Sequence, residues 1–225
     1  MVTKDWRAWH ERYDDPGSSL ALRLRAVQQQ LSGLLDDAPP GPLRAISMCA
    51  GQGRDLLPVL ARHPRGRDVT ARLVELDPGL AQSARQAAAA AGLTGVEVVT
   101  GDAGLTDAYA GLVPSDLVLA CGVFGNIPDP DIERTIATCR QLCASGGSVV
   151  WTRHRGEPDL VPRICDWFAG RGFALRWLSE PDLPYGAGVH VLAGTAAPLA
   201  AGTRMFRFND AGPRWPGPGP GGLAG

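Results

Sequence analysis

The fold of this chain is decided by residues 43–53, which read Leu43-Arg-Ala-Ile-Ser-Met-Cys-Ala-Gly-Gln-Gly53. The apolar first half is typical of a buried strand, and the residues that follow, 54–60, favour a helix. Gly51 and Gly53 lack a Cβ atom, so the backbone between the two elements can turn sharply and approach a ligand closely. The N–H groups that open the helix would face that ligand. The segment therefore predicts a nucleotide-binding turn.

A second apolar run, residues 71–74, ends in an acidic residue. The carboxylate of Glu75 can accept hydrogen bonds from both hydroxyls of a ribose. A Gly-x-Gly turn without such an acid is more often an ordinary tight turn, so Glu75 favours the nucleotide interpretation. Dinucleotide dehydrogenases need a third glycine for close helix–strand packing, and Leu56 stands at that position. The pattern therefore argues against a nicotinamide cofactor.

Two further strands end in residues suited to an adenosine. Residues 96–100 lead to Asp102, which can accept a hydrogen bond from an exocyclic amine, and residues 115–121 open onto a loop that ends at Asn126. With these four segments, residues 43–194 resemble the class I S-adenosylmethionine-dependent methyltransferases. The resemblance implies S-adenosylmethionine as the cofactor and methyl transfer as the reaction.

The resemblance implies cofactor contacts only where residues match the family's motifs. The glycine turn would contact the methionine end, Glu75 the ribose, and the residues after the second and third strands the adenine. The end of the fourth strand would lie under the amino group and the sulfonium. The implied cofactor-binding residues are Cys49, Ala50, Gly51, Gln52, Gly53, Glu75, Leu76, Asp102, Ala103, Cys121 and Gly122.

Two residues of the first motif depart from the family pattern. The family usually has an acid where Ser47 stands and a further glycine where Cys49 stands. Asp55 either replaces the missing acid as the anchor of the cofactor's ammonium group or is an ordinary acid in the first turn of a helix.

The acceptor side is predicted from residues that leave the carboxyl ends of strands, where ligands bind in open α/β sheets. His154 would take a proton from the acceptor or orient it, with two polar side chains on the other side of the reacting methyl group. Arg153 and Arg155 would either pair with surface acids or bind a carboxylate or phosphate on the acceptor. The predicted catalytic residues are His154, Asn126 and Tyr13, and the predicted substrate-binding residues are Phe124, Arg153, Arg155 and Tyr185. His190 is expected to be an ordinary core or surface histidine.

Apolar runs predict seven strands, and helical segments separate the first five. The strands lie near residues 43–49, 70–76, 95–100, 115–121, 147–153, 172–178 and 188–194. Alternation of strand and helix implies a parallel sheet with helices on both faces. The short loop before the last strand favours antiparallel pairing. The family fold is such a doubly wound, mostly parallel α/β sheet, with strand order 3-2-1-4-5-7-6 and strand 7 antiparallel.

The expected domain organisation has three parts. They are a helical lid over residues 1–40, the cofactor-binding domain over residues 41–195, and a C-terminal extension over residues 196–225. The Pro- and Gly-rich tail from Gly212 is expected to be disordered.

Composition and charge argue against several classes of function. The 225 residues are 44% hydrophobic, which suits one α/β domain, and the net charge of −1 gives no field that would attract nucleic acid or an anionic membrane. The five cysteines have no paired spacing, so we expect no metal, and the polar N terminus does not read as a signal peptide. We expect a cytoplasmic enzyme that acts on a small molecule.

Three functions remain open at this point. The first is methyl transfer to a small-molecule acceptor, for which the cations at the end of the fifth strand favour an anionic group. The second uses the same cofactor without methyl transfer, as when the amino-acid part of the cofactor attacks its own carbon and methylthioadenosine is released. The third is a cofactor-binding protein without catalysis, which acts as a sensor or a partner subunit.

Overall fold

The computed structural model describes Asp15 and residues 17–209. The predicted residue Tyr13 and the tail from Gly212 lie outside these described residues. The strands are β1 Leu43–Met48, β2 Val69–Glu75, β3 Val96–Thr100, β4 Ser115–Ala120, β5 Cys143–His154, β6 Phe173–Leu178 and β7 Tyr185–Leu192. The helices are α1 Ser19–Asp37, α2 Leu57–Arg62, α3 Pro78–Ala90, α4 Asp129–Leu142 and α5 Val161–Ala169. Two short 3₁₀ segments are Pro64–Asp68 and Thr106–Tyr109.

The strands form one sheet in the order β3-β2-β1-β4-β5-β7-β6. Strands β1 to β5 run parallel to one another, whereas β7 is antiparallel to both β5 and β6. The central strands are apolar on both faces because helices cover both sides, as parallel sheets require. The predicted doubly wound sheet, its order and its antiparallel strand are confirmed.

Two apolar cores lie on the two faces of the sheet. Helices α4 and α5 cover one face, and α1, α2 and α3 cover the other. Leu31 and Leu35 of α1 are fully buried, so this helix is part of a core layer that packs on β7 and α2. The division of the chain at residue 40 stays a prediction.

Three local features differ from the sequence prediction. The connection from β3 to β4 contains a 3₁₀ segment instead of a crossover helix, since glycines and Pro114 interrupt it and the Tyr109 hydroxyl donates to the Ala103 carbonyl at 2.8 Å. Helix α2 begins at Leu57, because the residues before it form the glycine turn. Strand β5 begins at Cys143, with a register shift against β4 at its start.

The core beneath β5 and β7 contains a buried histidine. His190 stacks on Phe168 with ring centroids 4.3 Å apart, and its Nδ1 accepts a hydrogen bond of 3.0 Å from the indole N–H of Trp151. Among the described residues, nothing bonds to its buried Nε2 atom. Burial lowers the pKa of His190 to about 4.

We expect His190 to make the protein less stable in mild acid. In the unfolded chain His190 takes up a proton near its ordinary pKa of about 6.5, whereas in the folded state it stays neutral down to about pH 4. The unfolded state therefore binds more protons in this window, and about 2 kcal/mol of the free energy of unfolding is lost between pH 6.5 and 5. His190→Gln keeps an acceptor for Trp151 and does not titrate, so urea unfolding should show a shallower pH dependence. An equal slope in both proteins would contradict this expectation.

Helices α1 to α5 are all too short or too polar to cross a lipid bilayer.

Candidate active site

The turn after β1 lies at the carboxyl edge of the sheet. The Ala50 N–H donates to the Val74 carbonyl of β2 at 3.0 Å, and the Gly53 N–H donates back to the Ala50 carbonyl at 2.8 Å. Cys49 has a φ of 50°, in the left-handed region that non-glycine residues enter at a cost. These bonds hold residues 49–53 in a compact loop at the edge.

Gly53 is the point where the turn meets the sheet and α2 most closely. Its φ is 73°, and a Cβ atom added there would lie 2.5 Å from Cδ1 of Leu57 and 3.0 Å from Cδ2 of Leu73. Its carbonyl accepts the N–H of Leu57 at 2.9 Å and so starts the helix. Position 53 requires glycine for both backbone conformation and space.

Glu75 ties the end of β2 to the glycine turn. Its Oε2 accepts the N–H of Gly51 at 2.7 Å, its Oε1 accepts the N–H of Asp77 at 2.9 Å, and only 8% of the residue is exposed. Each carboxylate oxygen has a second lone pair that can accept a further hydrogen bond. The carboxylate is thus fixed in orientation and still able to accept two ribose hydroxyls.

Asp102 follows β3 and is held by two donors. Its Oδ1 accepts the N–H of Gly104 and its Oδ2 accepts a guanidinium N–H of Arg204, both at 2.8 Å. Burial alone would raise the pKa of Asp102, but the hydrogen bonds from Arg204 and Gly104 outweigh it and lower the pKa below its usual range. The side chain is therefore an anionic hydrogen-bond acceptor.

The Cys49 thiol of the glycine turn is affected by the charges of both Glu75 and Asp102. Burial raises the pKa of Cys49 well above its ordinary value, and the charges of Glu75 and Asp102 raise it further. Both acids therefore act on one atom of the glycine turn. Ala103 is buried beside this edge, and Leu76 is 70% exposed at its rim, where an apolar side chain is available to a ligand.

Two further contacts join α1 and the glycine turn at the same edge. The Gln28 side chain of α1 donates to the Arg54 carbonyl at 2.8 Å, and the Gln52 side chain accepts from Arg54 at 2.7 Å. Burial raises the pKa of the Cys121 thiol; the charge of Asp55 raises it further, while that of Arg23 opposes. Asp55 and Arg23 thus act electrostatically at the end of β4.

The loop after β4 is fixed by its own polar groups. The Gly122 N–H donates to the hydroxyl of Thr152 at 2.8 Å, and the Asn126 side-chain N–H donates to the Gly122 carbonyl. Among the described residues, nothing bonds to the buried Oδ1 of Asn126. The ring of Phe124 is fully buried in the core, 6.1 Å from Trp151, so this residue can offer a ligand its backbone only.

Three predicted residues lie together at the end of β5. Arg153 is only 8% exposed and donates to the Phe124 carbonyl, while its Nε has no hydrogen-bond partner among the described residues. Burial lowers the pKa of Arg153. Arg155 donates to Asp159 at 2.6 Å, its side chain is 10% exposed, and its buried Nε also has no hydrogen-bond partner among the described residues.

The protonation of His154 follows from its contacts. Its Nδ1 accepts the N–H of Gly156 at 3.0 Å. Burial and the charge of Arg153 lower the pKa of His154, against the opposing charge of Asp159, so the ring is neutral at pH 7. A neutral ring that accepts at Nδ1 carries its proton on Nε2 and acts there as a donor.

Tyr185 begins β7 and pairs with His154 across the sheet. Since β7 is antiparallel, its first residue reaches the same edge as the last residues of β5. Burial raises the pKa of Tyr185, and the charges of Arg23 and Arg25 on α1 oppose this. Asn126, Arg153, His154 and Tyr185 therefore lie near one another, whereas Tyr13 is outside the described residues.

Sequence reasoning did not single out several residues of this edge. Thr152 binds the loop after β4, Gln28 binds the glycine turn, and Arg204 binds Asp102. None of them belongs to a local motif, and 102 residues separate Arg204 from its partner. In residues 17–209 there is no group of three or more His, Cys, Asp or Glu side chains arranged for a metal ion.

A known protein family matches part of this chain. Residues 45–147 match the family described as methyltransferase domain. None of the curated proteins matches the chain significantly.

Several solved structures share the fold. An O-methyltransferase family protein from Burkholderia thailandensis superposes with a TM-score of 0.64 at 19% identity, over 83% of this chain and 60% of that protein. A TehB-like SAM-dependent methyltransferase from Corynebacterium glutamicum gives 0.54 at 18% identity, over 78% and 98%. An O-methyltransferase family 2 protein from Planctomyces limnophilus, in complex with apigenin, gives 0.55 at 16% identity, over 75% and 61%. The chain thus spans less than two thirds of the first and third proteins, and at these identities the likeness concerns the fold.

Proposed function

We propose that this chain is a methyltransferase that uses S-adenosylmethionine and that its acceptor is a small molecule bound beside the ends of β4 and β5. The match of residues 45–147 to the methyltransferase domain family supports this proposal. The observation that carries the assignment of the cofactor site is the 2.7 Å hydrogen bond from Gly51 to Glu75. It joins the turn of the first motif to the acid of the second at one edge of the sheet.

The residues at this edge suit the parts of the cofactor. We propose that Glu75 holds the ribose, that Asp102, Ala103 and Leu76 hold the adenine, and that residues 49–53 with Cys121 and Gly122 hold the methionine end. Asp55 is the proposed anchor of the ammonium group, because its charge acts at the end of β4. When bound, the cofactor supplies an activated methyl group and a neutral thioether leaving group.

The protein's part in such a reaction is alignment and exclusion of water. We propose that His154 orients the acceptor through its Nε2–H. The hydrogen bond that its Nδ1 accepts from Gly156 supports orientation over proton abstraction, since the ring's lone pair is already used. Asn126 lies on the loop after β4, and its Oδ1, which has no hydrogen-bond partner within the described part of the chain, suits a polar hydrogen on the acceptor. Tyr13 remains a predicted third member.

A buried cation supports an acceptor with an anionic group. Arg153 is buried with its Nε unbonded in the part of the chain that is described, and a buried donor of this kind favours a charged acceptor group. Arg155 is paired with Asp159 and is the weaker candidate. The apigenin bound by the Planctomyces protein supports a small-molecule acceptor. We therefore propose a small acceptor with a carboxylate or phosphate near Arg153.

Product analysis tests the proposal. The full chain is incubated with S-adenosylmethionine and a panel of small carboxylates, phosphates and neutral phenols, and the products are identified by mass spectrometry. We expect S-adenosylhomocysteine together with a methylated acid or phosphate. Methylthioadenosine without a methylated product would overturn methyl transfer, and methylation of neutral acceptors alone would overturn the anionic acceptor.

His154→Ala should separate the acceptor side from the cofactor side. Loss of the orienting donor should lower kcat about tenfold and leave the Kd of S-adenosylhomocysteine within about twofold. His63→Ala is the matched control, because that histidine is bonded to Asp36 away from the carboxyl edge. An equal loss in both variants, or a loss of cofactor affinity in His154→Ala, would contradict an acceptor-side role.

A further inference from the structure

We propose that Arg204 is a positioning residue for adenine recognition, which holds Asp102 from a C-terminal strap, residues 196–209, that returns to the cofactor edge. The inference rests on the proposed role of Asp102 at the adenine amine. No motif of the sequence assigns a function to this part of the chain.

The strap runs along α4 and ends at the loop after β4. At its start, the N–H of Ala197 donates to the Arg140 carbonyl at 2.8 Å, near the end of α4. Further on, the N–H of Arg207 donates to the Asp131 carboxylate at 2.9 Å, near the beginning of that helix. The N–H of Asn209 donates to the Asn126 carbonyl at 2.9 Å. The strap is therefore anchored at both ends.

Between these anchors the strap pairs with the loop after β3. Arg204 forms an antiparallel bridge with Leu105, and the N–H of Met205 donates to the Gly104 carbonyl at 2.8 Å. Met205 and Phe206 are buried. A Cβ atom on Gly104 would lie 2.5 Å from the Phe206 carbonyl oxygen, so the two backbones are in direct contact. The backbone of Arg204 is thus fixed relative to Asp102.

The strap determines the orientation of Asp102 through both carboxylate oxygens. Arg204 donates directly to Oδ2, and Gly104, which donates to Oδ1, is itself bonded to Met205 of the strap. Each oxygen keeps a lone pair that could accept the adenine amine. The strap thus holds the Asp102 carboxylate in one rotamer and leaves it able to accept a further hydrogen bond.

The exposure of the pair argues for a role in binding. The Asp102 and Arg204 side chains are 42% and 29% exposed. Ion pairs this open to solvent contribute little to the free energy of unfolding. A fixed carboxylate, in contrast, saves a ligand the entropic cost of ordering that side chain.

The experiment compares two ligands that differ at the adenine amine. Calorimetry gives the Kd of S-adenosylhomocysteine and of its hypoxanthine analogue, in which a carbonyl replaces the amine. We expect the wild type to prefer the amine about tenfold, Arg204→Ala to lose most of that preference, and Arg204→Lys to keep part of it. Arg207→Ala removes a positive charge from the same strap without breaking a bond to Asp102, and should behave as the wild type. In an Asp102→Ala background, Arg204→Ala should change nothing further.

Other outcomes would contradict the inference on Arg204, the role of Asp102 or the cofactor site itself. Arg204→Ala that weakens both ligands equally, or that keeps the tenfold preference, would overturn the inference and leave the cofactor site standing. A wild type that binds both ligands equally would overturn the role of Asp102 and the inference with it. A wild type that binds neither would overturn the proposed cofactor site. Turnover gives a second readout, in which Arg204→Ala should raise the KM for S-adenosylmethionine and leave kcat unchanged.

Discussion

Replacing Glu75 with alanine is expected to weaken the binding of S-adenosylhomocysteine about hundredfold. The variant loses the acceptor for two ribose hydroxyls, and a hydrogen bond to a charged group contributes about 1.5–3 kcal/mol. It also removes the acceptor of the Gly51 N–H, which loosens the glycine turn itself. Even if water replaces the two bonds that Glu75 accepts from Gly51 and Asp77, the two ribose bonds together contribute about 3 kcal/mol, which corresponds to the expected change in Kd.

Calorimetry with S-adenosylhomocysteine measures this change, and Glu97→Ala is the matched control. Glu97 lies on the neighbouring strand β3, is mostly exposed and pairs with Arg72 away from the carboxyl edge, so its removal tests the loss of charge alone. We expect the control to bind within about twofold of the wild type. Tight binding of a nicotinamide dinucleotide by the wild type, with none of S-adenosylhomocysteine, would refute the assignment of the site.

Gly53→Ala should lower the free energy of unfolding by about 2–5 kcal/mol. The left-handed φ of this residue costs an L-residue about 1–2 kcal/mol. The added methyl group would also lie within contact distance of the Leu57 and Leu73 side chains, and such overpacking costs about 1–3 kcal/mol. Since the turn must move to make room, cofactor affinity should fall as well.

Urea unfolding of Gly53→Ala and Gly92→Ala separates the two causes. Gly92, after α3, has a similar φ of 65°, but a Cβ atom there would meet nothing within 4 Å. The Gly92→Ala variant should therefore lose only the backbone part of the free energy of unfolding, about 1–2 kcal/mol. If both variants lose the same stability, the close approach of the turn to Leu57 is not the reason that position 53 is glycine.

The sheet could be predicted from the sequence because most of its strands are apolar runs between turns. Buried parallel strands leave a local pattern in the sequence, and the short loop between the predicted strands 172–178 and 188–194 indicated the antiparallel pairing of β7. The strand order confirms the predicted fold, and the match of residues 45–147 to the methyltransferase domain family supports the predicted enzyme class. The start of β5 was placed too late, because Gly146 and Gly147 interrupt the apolar pattern ahead of its buried part.

The side of the site that would bind the methyl acceptor was harder to predict, because its properties depend on contacts between residues far apart in the sequence. A sequence shows that Arg153 and Arg155 are cations near a strand end, but it does not show that one is buried and the other paired. The aromatic ring of Phe124 was expected at the ligand and lies in the core. Arg204 was invisible for the same reason, because its partner is far away along the chain.

The returning strap also sets an order of events while the chain is being made. Translation reaches Arg204 102 residues after Asp102, an interval on the order of 5–20 s at typical rates of synthesis. During that time β1, β2 and β3 have already been made, while Asp102 still lacks its partner Arg204. A ligand that binds only the finished edge cannot stabilise the nascent sheet by mass action. Any pairing of these strands before the strap is made therefore depends on their own apolar packing, without a contribution from the cofactor.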